Sequence, residues 1–383
     1  MSSTEPDRLL ARQLFDGIGA RPQTDRVIEI AQGRIAGIRP ATAQDGGLTA
    51  FDIVAPGFID LQINGAGDAQ FNFDPTPAAL ERIAAGAREG GTALILPTFI
   101  TAPGRDYVRA IEAVERAIAG GMPGIFGVHL EGPFLSLDRP GIHEAAAIRP
   151  IDAEDVAILG DAARRIPILL TIAPECQPPG SVAALTRAGI RVFAGHTAAT
   201  ADQMAQAEAE GIRGVTHLYN AMSQMTGREP GAVGAVLASD RLFAGLIADG
   251  HHVDWRNVAI AARLMPDRLC LVTDAMLTMA GTLDRFELGG QTILLTQGRL
   301  TNSEGRLAGA HVSHIDSLRN MLDHADVDLG QVLRMLSLNP ARALDMQDAL
   351  GTVQPGRRAV LTCLRSDMRV AGVMLDGRWH SGR

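Results

Sequence analysis

The chain has 383 residues and a formal net charge of −8, with 46% hydrophobic and 20% charged residues, a near-average globular composition that excludes a largely disordered polymer. Its length supports one barrel-sized domain with a smaller partner, and the absence of clustered Lys and Arg argues against nucleic acid as a partner, because a phosphate backbone rewards cationic patches. Three scattered cysteines outside any C-x-x-C pattern argue against a disulfide framework or a thiolate zinc site and suit a reducing, cytoplasmic compartment.

In chain order, the N-terminal stretch MSSTEPDRLLARQLFDG is charged and lacks an apolar signal core, and no run reaches the roughly 18 apolar residues of a membrane span. A soluble protein with no membrane partner is expected. Next, RVIEIAQGRIAGIRP, residues 26–40, sets short extended stretches around a Gly-Arg turn. At the far end RAVLTCLRSDMRVAGVMLDGRW repeats that pattern around Asp-Gly. Neither segment can bury itself alone, so residues 1–53 and 350–383 are expected to form one small β-sandwich domain from both chain ends.

Residues 54–349 are expected to form the hydrolase domain. Eight short apolar runs recur, each closed by a polar or Gly/Pro break: IVAPGFIDLQIN (53–64), TALILPTF (92–99), GIFGVHLEG (124–132), ILLTIAPE (168–175), RVFAGHT (191–197), GVTHLYN (214–220), LFAGLIADGHH (242–252) and LCLVTDA (269–275). Ala-rich segments separate them, such as PAALERIAAGAREGG, DYVRAIEAVERAIAGG and TADQMAQAEAEG, whose closing glycines suit a helix C-cap. Near-continuous apolar strands mark a parallel sheet buried on both faces, and eight strand–helix units predict an α/β fold, a (β/α)8 TIM barrel. An open doubly wound sheet is the competing architecture. It would carry G-x-G-x-x-G after its first strand, and none is present.

In a barrel these run ends converge on one face. They carry His129 and Glu131, then His196, His217 and Asn220, then Asp249, His251 and His252, and finally Asp274. Five of the chain's ten histidines fall there, more than isolated core histidines would place by chance. Two neutral imidazoles and a carboxylate with an open fourth position suit one catalytic zinc or iron(II) ion, and Glu131, His196 and His217 are the best three candidates. Such a metal lowers the pKa of its water. Asp274 could then take the water's proton and return it to a leaving amine, which predicts metal-assisted amide hydrolysis.

The ordered segments HLEGPF, AGHTAAT, THLYNAM, GREPG, IADGHHVD and LVTDAM resemble the motifs of the N-acetylglucosamine-6-phosphate deacetylases, a family of the amidohydrolase superfamily. The resemblance runs from APGFIDLQINGAG to SLNPARALDM and more loosely into the flanks. It implies that Glu131, His196 and His217 bind the metal and that Asp274 shuttles the proton, as the strand ends also suggest. It further implies hydrolysis of N-acetyl-D-glucosamine 6-phosphate to D-glucosamine 6-phosphate and acetate. By resemblance alone, Ile142 and His143 face the acetamido group, while Asn220, Ala221 and the backbone of Leu307, Ala308 and Gly309 contact the sugar. Arg228 and His252 would hold the phosphate across a homodimer interface. One Arg and one His placed locally reconcile an acidic protein with an anionic substrate.

Two departures from the family pattern matter. DLQING puts Gln62 and Asn64 where many amidohydrolases carry His-x-His, and neutral amides are poor transition-metal ligands, so one metal per chain is expected. GRRAVLTCL in the C-terminal flank and a lysine-free SLDRPGIHEAAAIR loop bear on substrate fine-tuning rather than on the reaction. The alternatives are a related amide hydrolase and a silent barrel that only binds a sugar phosphate. Arg228 and His252 argue against the first, and the complete set of metal ligands with Asp274 argues against the second.

Overall fold

Apolar runs and Ala-rich helices alternate from residue 58 onward, and the computed structural model, which describes residues 8–19 and 21–382, resolves them into a barrel. Its strands are β1 (Phe58–Ile63), β2 (Thr92–Ile100), β3 (Val128–Glu131), β4 (Ile168–Ile172), β5 (Arg191–Ala194), β6 (Gly214–Val215), β7 (Phe243–Leu246) and β8 (Leu269–Leu271). All eight are parallel and pair in sequence order. The ring closes just past β8, where Asp274 N–H donates to Gln62 O and Asn64 N–H to Ala275 O, each at 2.9 Å. Each of the eight apolar runs thus contributes one barrel strand.

Helices between the strands begin and stop where local chemistry dictates. Thr76 caps Pro77–Glu89, with Pro77 at the first helical position where no N–H is needed. Thr200 and Gln203 form a capping box on Ala201–Glu210, and Gly211 ends that helix in the left-handed region at φ 107°. Among the described residues, no helix is long and apolar enough to cross a membrane.

The two ends build a separate seven-stranded sheet. Arg8–Leu14, Gln23–Ala31, Arg34–Pro40 and Ala50–Pro56 join Leu361–Leu364, Val370–Leu375 and Arg378–Ser381. Leu361 pairs with Pro56, and Ile35 N–H reaches Arg357 O, so the sheet curls around Leu9, Leu14, Ile28, Val54, Cys363 and Met374. Residues 1–7, Ala20 and Arg383, which the expected end ranges include, lie outside the described residues.

Two details differ from the sequence reading. The run 53–64 is divided at Gly57: residues through Pro56 pair in the end sheet, and β1 starts at Phe58. A Cβ on Gly57 would lie 2.5 Å from Val360 Cγ1, so the chain passes from the end sheet to the barrel where no side chain fits. The second detail is an inserted three-stranded antiparallel sheet, Arg285–Leu288, Gln291–Thr296 and Arg299–Thr301. Gly289 and Gly290, both at positive φ, supply its two-residue turn. Its Phe286, Leu288, Ile293 and Leu300 pack with Ile100, Met276 and Leu277, next to the strand ends.

The segment after β3 is tied down by a buried carboxylate. Asp155 accepts from Tyr107 Oη at 2.7 Å, from Arg149 Nη2 at 2.8 Å and from Arg105 Nε at 3.1 Å, and its side chain is inaccessible to solvent. Arg149 N–H in turn bonds Pro133 O, which closes the base of the loop that carries Ile142 and His143.

Candidate active site

Alternation along β3 points both His129 and Glu131 into the barrel, but their surroundings differ. His129 is completely buried, with Thr98 Oγ1 at 3.2 Å and Thr171 Oγ1 at 2.7 Å on its two ring nitrogens. Burial holds its pKa down at about 4, so it is a neutral core residue at ordinary pH. Glu131, one pleat nearer the strand end, meets two imidazoles instead. Its Oε1 lies 3.0 Å from His196 Nε2 and 2.9 Å from His217 Nε2, and those nitrogens are 3.1 Å apart.

The backbone is bent to achieve this. His196 (φ 48°), His217 (φ 32°), Ala221 (φ 48°) and Asp274 (φ 47°) all occupy the left-handed region, which non-glycine residues rarely enter. Such conformations persist only where surrounding structure over-determines them, and these turn strand ends toward one cavity.

The cluster fits a divalent cation on its own chemistry. His196 Nδ1 faces Arg139 O at 3.0 Å; a carbonyl only accepts, so Nδ1 carries the hydrogen and Nε2 presents a lone pair. That lone pair and a carboxylate oxygen stand 3.0 Å apart, an arrangement that repels unless a positive charge lies between them. One carboxylate oxygen and two imidazole nitrogens match the ligand preferences of zinc or iron(II). Desolvation disfavours the charge on Glu131, yet in the metal-free protein protons on the adjoining His196 and His217 rings bridge to it and hold its carboxyl well below the usual range.

His143 borders the cluster. Its Nδ1 is 2.8 Å from Thr101 Oγ1 and its Nε2 3.9 Å from Glu131 Oε1, within the reach of a metal-holding group with Glu131 and His196. His217 Nε2 is a full ångström closer to Glu131 Oε1 than His143 Nε2 is. Burial, with His196 beside it, keeps the His143 ring neutral.

Asp274 sits on the same cavity. Its Oδ1 accepts from Asn64 Nδ2 at 2.7 Å and Gln62 Nε2 at 3.1 Å. Burial, and then the negative charge of Glu131, push its pKa up to about 6.

Glu131, His196, His217, Asp274, Ile142, His143, Asn220, Ala221, His252, Leu307 and Gly309 line one cavity of about 220 Å³. Ala308 is buried with Met276 and Leu288 rather than on the cavity lining. Arg228 is not brought to the cavity; it is exposed on the loop between β6 and the helix Gly231–Ala238. Its neighbour Glu229 accepts from Ala201 N–H and Gly231 N–H, and among the described residues no ion pair joins it to Arg228. His252 faces the cavity with Nδ1 on Asp249 Oδ2 at 2.7 Å, whereas His251 is exposed. The apolar wall of Ile100, Met276 and Leu288 was not expected, because apolar residues carry no signal that separates a cavity wall from a core.

Fold and site together define a barrel hydrolase with a carboxylate–imidazole cluster at the C-terminal ends of its strands. More specifically, the chain belongs to the amidohydrolase family, whose model matches residues 53–380. It is 35% identical over 349 residues to the N-acetylglucosamine-6-phosphate deacetylase of Haemophilus influenzae, covering 90% of this chain and 89% of that one. It is 33% identical over 360 residues to the N-acetylgalactosamine-6-phosphate deacetylase of a Shewanella species, covering 91% and 90%. The crystal structure of the N-acetylglucosamine-6-phosphate deacetylase from Pasteurella multocida superimposes with a TM-score of 0.93 at 32% identity, covering 98% of this chain and 99% of that one.

Proposed function

We propose that this enzyme hydrolyses N-acetyl-D-glucosamine 6-phosphate to D-glucosamine 6-phosphate and acetate, in amino sugar catabolism or cell-wall sugar recycling. The observation that carries this reading is the convergence of Glu131, His196 and His217 beside the free carboxylate of Asp274 in one cavity. Glu131, His196 and His217 would hold one divalent transition metal, zinc or iron(II). When bound, it supplies Lewis-acid polarisation and acidifies water beside it. Asp274, on the same cavity, would take a proton from the attacking water and pass it to the departing amine. His143 and Ile142 border the acetamido group.

Asn220, Ala221 and the backbone of Leu307 to Gly309 orient the sugar. His252, steadied by Asp249, takes the phosphate. Arg228, exposed and outside its own cavity, supplies the second phosphate contact to the site of another copy in a homodimer.

Acetate release from the phosphosugar, measured beside metal content, tests this directly. The epimer N-acetyl-D-galactosamine 6-phosphate belongs in the same assay, because relatives carry either name. Release from the galacto epimer alone would reassign the substrate, and release from neither would overturn the proposal.

A further inference from the structure

Asp60, Gln62 and Asn64 alternate along β1 and just beyond it, so their side chains point into the barrel. All three are buried. Gln62 makes an unusual pair of contacts: its Nε2 lies 3.2 Å from Glu131 Oε2 and 3.1 Å from Asp274 Oδ1. The amide must face this way, because the flipped orientation would set its carbonyl oxygen against two carboxylate oxygens. Both hydrogens of one neutral side chain are therefore given to two carboxylates. Glu131 is divided by this contact, with Oε1 toward His196 and His217 and Oε2 on Gln62. Asp274 is divided as well: Oδ1 takes the amide bonds of Gln62 and Asn64, and Oδ2 is left without them.

We infer that Gln62 is a positioning residue that keeps Glu131 a one-oxygen ligand and presents Oδ2 of Asp274 as the oxygen that exchanges the proton. This rests on the roles proposed above for Glu131 and Asp274. Freed of the amide, Glu131 can rotate and offer either oxygen, and Asp274 is left with the single Asn64 bond on Oδ1. Gln62 constrains both at once without adding a charge, which a histidine at this position would not do at every pH.

Gln62→Met keeps the volume and removes both donors. In zinc-loaded enzyme, kcat is expected to fall about a hundredfold while KM changes by less than about threefold. Chelator competition on the protein with zinc alone should show a dissociation constant weaker by about ten- to a hundredfold, the usual effect of losing a ligand's hydrogen-bond partner. The decisive comparison is the zinc-loaded double variant Gln62→Met/Asp274→Asn, which should turn over within about threefold of Asp274→Asn alone, because the proton-exchanging carboxylate that Gln62 aims is then absent, while its hold on Glu131 is read by the zinc dissociation constant. If Gln62→Met does not fold, Gln62→Asn retains an amide one methylene too short to span both carboxylates and should give the same pattern.

Losses that multiply in the double variant, or an unchanged zinc dissociation constant, would overturn the inference. Full turnover in Asp274→Asn alone would instead overturn the role of Asp274, and the inference with it.

Discussion

Replacing Asp274 by Asn is expected to stabilise the metal-free protein at neutral pH while nearly abolishing turnover of the loaded enzyme. Asp274 is desolvated, and burial followed by the charge of Glu131 raises its pKa from 3.8 to about 6. Because folding raises the value, it penalises the ionised form. That penalty is absent below about pH 4, grows as the pH rises, and is complete above about pH 6. Roughly two units at ~1.4 kcal/mol each make it about 3 kcal/mol. Asn can still accept the Gln62 and Asn64 bonds through its own Oδ1, and it has no charge to desolvate. Urea unfolding of metal-free wild type and Asp274→Asn should therefore differ by about 3 kcal/mol at pH 8 and by about half that at pH 5. Turnover of the metal-loaded variant should fall by roughly two to four orders of magnitude, with metal content unchanged, since the amide keeps the shape but accepts no proton. A variant less stable than wild type at pH 8, or a stability difference that ignores pH, would refute the burial argument. Unchanged turnover would refute the proton-transfer role.

Wild-type enzyme should hold about one transition metal per chain by elemental analysis, and His196→Ala should lose it; a reproducible two in active enzyme would require ligands beyond Glu131, His196 and His217. Arg228→Ala should raise KM for the phosphorylated sugar about ten- to a hundredfold and leave the unphosphorylated sugar unaffected, whereas equal losses would point to a folding defect. Inactive Asp274→Asn chains mixed with Arg228→Ala chains should regain activity in heterodimers, if each site takes its arginine from the other copy. Asp155→Ala should cost about 2–3 kcal/mol in denaturant unfolding, because it removes the acceptor shared by Tyr107, Arg149 and Arg105, although Arg105 keeps Asp152 and Glu154. Desolvation works against the Asp155 carboxylate, but the bonds from Arg149 and Tyr107 outweigh it and hold its pKa below the ordinary value. Its stabilisation is therefore present above about pH 4 and lost as the pH falls below that, so the variant's deficit should shrink in acid.

The barrel and the chemistry at its mouth were legible in the chain itself. Eight apolar runs separated by Ala-rich segments have the periodicity of strands buried on both faces, and Glu131, His196, His217 and Asp274 stand out because ionisable groups seldom close such runs. The inserted sheet at 285–301 was not legible: its strands are short, its outward face is polar, and its Gly-Gly turn resembles any loop. The break at Gly57 was hidden for another reason, since an unbroken apolar run spans the end sheet and the barrel, and the contact that requires a glycine there comes from Val360, some three hundred residues away.

Local side-chain pattern determined which residues could do chemistry, because periodicity and residue type are properties of neighbours in the chain. Only the closed barrel decided how they meet. Gln62 touches Glu131 and Asp274 across 69 and 212 residues of chain, His129 is a core residue while Glu131 two positions on lines the cavity, and Arg228 lies outside its own chain's cavity. Strand register and ring closure set these distances to within a hydrogen bond, and no short stretch of sequence contains them.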